Sequence, residues 1–121
     1  MRDCHAVTVA ILCFCLAGCD QTQSISLVTE DFRFVPDLVR ATAASPLALS
    51  IFNAGRETHE FDSPLLLYAS RSSAGRPQVS TGITLPPGQT VHIVVAPPAG
   101  TYLYICRRKG HASMTGTLIV E

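Results

Sequence analysis

The residues most able to do chemistry lie close together near the C-terminus. Cys106, His111 and Met114 share one stretch, Cys106-Arg107-Arg108-Lys109-Gly110-His111-Ala112-Ser113-Met114, set between two strand-forming segments. A thiolate, an imidazole and a thioether on one loop make a set of soft and borderline metal donors. One more imidazole would complete two histidines, a cysteine and a weak axial methionine, an arrangement suited to electron-transfer copper. His59, at the far end of the turn after the 47–52 segment, can supply it. Taken alone, Cys106 reads as a buried core thiol, a common place for free cysteine. Its company at ligand spacing favours the ligand reading. Met114 is the hardest of the four to separate from core packing, and His59 by itself is a turn histidine. His92, between Val91 and Ile93 and opposite to them in parity, is expected to face solvent.

These donors need a scaffold, and the scaffold begins after a leader. Arg2 gives a short basic start, and residues 6–16 (AVTVAILCFCL) form an apolar run of signal-peptide length, too short to span a bilayer comfortably. The run ends in Leu16-Ala17-Gly18-Cys19. This resembles the lipobox of bacterial lipoproteins, which implies acylation of Cys19 after removal of residues 1–18. Residues 19–24 then form a lipidated tether, and residues 25–121 the folded domain. The five polar residues 20–24 reach at most about 17 Å, so the domain stays close to its membrane. Cys4, Cys13 and Cys15 leave with the leader, and Cys106 is left without a disulfide partner in the chain.

The mature segment reads as one all-β domain. Over the whole chain, eight glycines and eight prolines punctuate a sequence rich in β-branched residues. Leu47, Leu49 and Ile51 alternate with Ala48, Ser50 and Phe52, as a half-buried strand does. Residues 90–95 form a second alternating strand between Pro86-Pro87-Gly88 and Pro97-Pro98-Ala99-Gly100. Residues 102–106 and 117–120 are the last two strands, and residues 25–36 hold two short ones. About seven strands at such spacing predict a Greek-key antiparallel β-sandwich. Residues 63–82 fit least: Pro64 to Tyr68 is a short helix or an irregular strand, and 71–77 an exposed loop.

With these pieces assembled, a family resemblance is plain. Cys106-x₄-His111-x₂-Met114 before Gly116-Thr-Leu-Ile-Val120 resembles the C-terminal ligand loop of the cupredoxins, the plastocyanin and azurin superfamily. Asn53-Ala-Gly-Arg-Glu-Thr-His59-Glu-Phe61 resembles the family's upstream histidine segment, and Leu85-Pro-Pro-Gly88 and Gly100-Thr-Tyr102 resemble its turns. The resemblance covers nearly all of the mature chain. It implies a cupredoxin-like sandwich holding one mononuclear type 1 copper ion, with His59, Cys106 and His111 equatorial and Met114 axial. The loop combines two spacings that different members use separately. Glu60 stands where members often carry Asn, whose backbone N–H donates to the copper-bound sulfur; a carboxylate there would act on the potential or on His59.

Several function classes recede on the same evidence. Nine basic and nine acidic side chains balance, which gives no bulk electrostatic case for nucleic acid. Multicopper oxidases and copper nitrite reductases need further histidines, and a binuclear centre of the oxidase-subunit kind needs a second cysteine. The expected role is therefore not enzymatic: a monomer carrying single electrons at the periplasmic or outer face of a bacterial membrane. Copper sequestration or delivery is the rival reading. Asp20 directly after Cys19 resembles an inner-membrane retention signal. Arg107-Arg108-Lys109, between two ligands, would steer an acidic redox partner.

Overall fold

The computed structural model describes residues 21–70 and 82–121. Among these residues nine strands appear in chain order: β1 Gln23–Glu30, β2 Arg33–Val35, β3 Leu38–Ala41, β4 Leu47–Asn53, β5 His59–Asp62, β6 Gly82–Leu85, β7 Thr90–Val95, β8 Gly100–Ile105 and β9 Thr115–Val120. They form two sheets, β2-β1-β4-β7 and β3-β9-β8-β5-β6. The all-β sandwich is as the sequence predicts. Its sheets, however, are mixed. β1 runs parallel to β4, and β3 parallel to β9, while the other pairings are antiparallel.

Alternation explains which side of each strand is buried. In β4, Leu47, Leu49, Ile51 and Asn53 point inward, while Phe52 lies on the solvent face. In β8 the inward row is Tyr102 and Tyr104, and in β9 it is Gly116, Leu118 and Val120. Between the sheets, Phe34, Phe61 and Tyr104 pack edge-on and stacked, with centroids 5.1–6.3 Å apart. A Cβ on Gly116 would fall inside the Tyr104 ring, so only glycine lets that ring lie flat on β9. The Tyr104 hydroxyl donates to the Pro36 carbonyl at 2.8 Å, and burial pushes its pKa up to about 12.

Three boundaries refine the sequence reading. β1 opens at Gln23, so Gln23 and Ser24, assigned to the tether, are paired with Leu47 and Ala48 of β4. Pro64–Tyr68 is a 3₁₀-helix, with the Ser63 hydroxyl accepting from the Leu65 N–H. His92 is exposed on β7, as its parity requires. The leader and the 71–77 loop lie outside the described residues. No helix among the described residues is long and apolar enough to cross a membrane.

Candidate metal centre

The inward rows of β8 and β9 continue past the strand ends, and this places two of the predicted ligands. Cys106 follows Tyr102 and Tyr104 in parity, and Met114 precedes Gly116 and Leu118. The antiparallel register Ile105↔Thr115 carries one step further, since the Cys106 N–H donates to the Met114 carbonyl at 3.2 Å. Both side chains therefore face the interior from opposite arms of one loop, Cys106 4% and Met114 0% exposed. Two backbone bonds shape that loop: His111 N–H to the Arg108 carbonyl, and Met114 N–H to the His111 carbonyl, each 3.0 Å. Gly110, at φ 88°, occupies the left-handed conformation that turns the chain into His111.

The second arm of the site comes from the turn between β4 and β5. Asn53, wholly buried, holds it from within. Its amide donates to the carbonyls of Glu57 and Leu85, each at 2.8 Å, and its side-chain oxygen accepts the Gly55 N–H at 2.9 Å. His59 opens β5 on the inward face, with no exposed surface.

These arms bring His59, Cys106 and His111 together, with one donor atom from each within 4.8 Å of the others. His59 Nδ1 and His111 Nδ1 lie 3.2 Å apart, and Cys106 Sγ lies 3.5 Å from His111 Nδ1. The Glu60 backbone N–H donates to the sulfur at 3.4 Å. The donor expected at that position is thus present, and it comes from the main chain.

The outer edges of both imidazoles end on carboxylates. His59 Nε2 lies 3.0 Å from Asp31 Oδ1, and His111 Nε2 lies 2.9 Å from Glu57 Oε2. An ionised carboxylate only accepts, so each ring donates from Nε2, and the neutral imidazole that does so keeps its Nδ1 lone pair bare. Two bare lone pairs then face each other beside a cysteine sulfur. A cation satisfies this arrangement, and a protein interior otherwise penalises it. Two imidazoles and one sulfur suit copper by softness, and Met114 enters the interior from the opposite arm of the same loop. The residues therefore fit the ion that their types imply.

Asp31 and Glu57 were not among the residues singled out by sequence. Glu57 sits two positions before a candidate ligand, a spacing that carries a weak signal. Asp31 has no local signal, because the parallel pairing of β1 with β4 brings it to His59. The Arg56 N–H, ahead of the bonds from His59 and the Glu57 N–H, holds its carboxyl below the usual carboxylate range, against the opposing effect of desolvation. Phe32, just after it, stands edge-on to His111 at 5.1 Å and is 48% exposed. Of the basic triplet, Arg107 is paired with Asp62, while Arg108 and Lys109 are exposed.

Comparison with known proteins agrees with this fold. The family model described as "Cupredoxin-like domain" matches residues 4–120. No curated protein matches the chain. Among solved structures, auracyanin A, a "blue" copper protein from the green thermophilic photosynthetic bacterium Chloroflexus aurantiacus, aligns at TM-score 0.61 and 21% identity, over 84% of this chain and 100% of that one. Dithionite-reduced auracyanin from the photosynthetic bacterium Roseiflexus castenholzii aligns at 0.62 and 16%, over 83% and 98%. Auracyanin B aligns at 0.61 and 21%, over 82% and 88%. At these identities the likeness is one of fold.

Proposed function

The chain belongs to the cupredoxin-like domain family, and on that premise we propose that it carries single electrons through one copper ion held by His59, Cys106 and His111, with Met114 as axial ligand. The observation that carries the reading is the convergence of two imidazole nitrogens and one sulfur within 4.8 Å in a buried pocket. Copper there supplies a one-electron couple. The protein residues supply rigidity: the five-stranded sheet carries all three donors, on β5 and on the loop joining β8 to β9, and Asn53 of β4 and the Glu60 N–H hold the surroundings. A site that need not rearrange between oxidation states is suited to transfer rather than to catalysis on a substrate. The buried Met114, whose backbone carbonyl accepts the Cys106 N–H, supports the axial assignment.

The reading extends to location and partners. Leu16-Ala17-Gly18-Cys19, after an apolar run of leader length, supports lipid attachment at Cys19 and residence on the periplasmic or outer side of a bacterial membrane. Asp20 favours the inner membrane. Acylation by more than one chain makes such attachment stable. The partner is a redox protein, and the exposed Arg108 and Lys109 beside the site support an acidic one.

The test is copper titration of the full chain. Uptake of one Cu(II) with an intense thiolate-to-copper visible band is expected, and the band disappears in Cys106→Ala. A colourless adduct, or an unchanged spectrum in the variant, overturns the site. Slow electron self-exchange together with very tight Cu(I) binding would favour copper delivery over electron transfer.

A further inference from the structure

Asp31 and Glu57 lie outside the ligand set, yet each ends on one of its imidazoles. They are also joined to one another. Asp31 accepts the backbone N–H groups of Arg56 at 2.9 Å and Glu57 at 3.2 Å, besides facing His59 Nε2 at 3.0 Å. It thereby fixes the backbone of the residue whose side chain reaches His111 Nε2 at 2.9 Å. Gly55 makes room for this approach. A Cβ there would collide with Asp31 Oδ1 and crowd His59 Nε2 at 3.0 Å. The carboxylate, the glycine and the turn thus form one built unit against both rings.

We propose that Asp31 and Glu57 are positioning residues that aim both imidazoles at the copper through Nδ1 and bias the site toward its oxidised ion. The proposal rests on the copper reading above. A carboxylate accepting from Nε2–H selects the tautomer with Nδ1 free and makes that nitrogen the better donor. Two negative charges near the metal also stabilise Cu(II) more than Cu(I), because the attraction scales with the ion's charge. The Asp31 side chain is 29% exposed and the Glu57 side chain 54%. Solvent screens the second more than the first, so Asp31 dominates. The consequence is a reduction potential lower than the ligands alone would set.

The experiment compares the wild-type chain with Asp31→Asn and Glu57→Gln. Both changes remove charge, and both keep a side-chain oxygen able to accept a hydrogen bond. Cyclic voltammetry is expected to show a higher potential in each variant. For Asp31→Asn the shift corresponds to about a tenfold loss of preference for Cu(II) over Cu(I), or about 59 mV for a one-electron couple. The Glu57→Gln shift is smaller. Nitrogen NMR of the copper-free wild type is expected to show His59 and His111 both protonated at Nε2. A wild-type band with potentials unchanged in both variants overturns the proposal and leaves the copper reading standing. An Nδ1–H tautomer at either ring overturns it as well. Absence of the band in wild type removes the copper reading itself. Should Asp31→Asn fail to fold, Glu57→Gln, at an exposed side chain, still decides.

Discussion

At Met114 two roles fall on one side chain. It is wholly buried just before β9, in line with that strand's inward row, as a core residue would be, and its backbone pairs with that of Cys106, as an axial ligand's could. Met114→Leu separates them, since the two residues have similar volume and the exchange costs less than about 1.5 kcal/mol. As a ligand, its loss leaves copper uptake and the visible band in place but raises the reduction potential, because the thioether no longer supports the oxidised ion. An unchanged potential would assign Met114 to packing alone. Cys106 and His111 stand out in the sequence because donor softness and loop spacing are local properties, whereas His59 is singled out by the family resemblance of its segment. Glu60 drew notice as the carboxylate nearest a ligand. In the structure its backbone meets the sulfur, and the carboxylates at the imidazoles are Asp31 and Glu57. The Asp31 contact depends on strand pairing across 28 positions, which no spacing rule conveys.

Among the elements, the turn between β4 and β5 decides whether His59 is held ready. Asn53 satisfies the Glu57 and Leu85 carbonyls and the Gly55 N–H from a site with no access to water. Asn53→Ala leaves those groups without their partner. The expected cost is about 2–3 kcal/mol in denaturant unfolding of the copper-free protein, with weaker copper binding alongside. A loss under about 0.5 kcal/mol would show that the turn is held from elsewhere. The strands themselves were easier to read than their pairing. Alternation in β4 and β7 marks the buried face directly, but it is silent on direction, so the parallel β1–β4 and β3–β9 pairs were not foreseen. The start of β1 was also hidden. Gln23 is a polar residue that pairs by its backbone, and its side chain bonds Thr42 and Ser45.

For the whole molecule, Tyr104 links the core to alkaline stability. Its folded pKa, raised by burial to about 12, exceeds the usual tyrosine value of about 10. The folded state therefore keeps a proton that the unfolded chain releases between these values. This stabilising contribution is complete below pH 10 and declines as pH rises toward 12. Unfolding titrations should show the decline in wild type and a flatter profile in Tyr104→Phe. Equal profiles would mean that the ring ionises freely in the fold. A different consequence follows from the direction of β1. Gln23 lies beside the 42–46 turn at one pole of the sandwich, and Glu30 leads into Asp31 at the other. Eight residues of strand separate the poles by about 26 Å. Were Cys19 acylated, as proposed above, only residues 20–22 would precede β1, a reach of about 10 Å. A molecule fastened so tightly at one pole would present its candidate metal centre outward, away from the bilayer. Its exchange partners would then be proteins standing in or diffusing through the aqueous space, with carriers dissolved among the lipid tails out of reach.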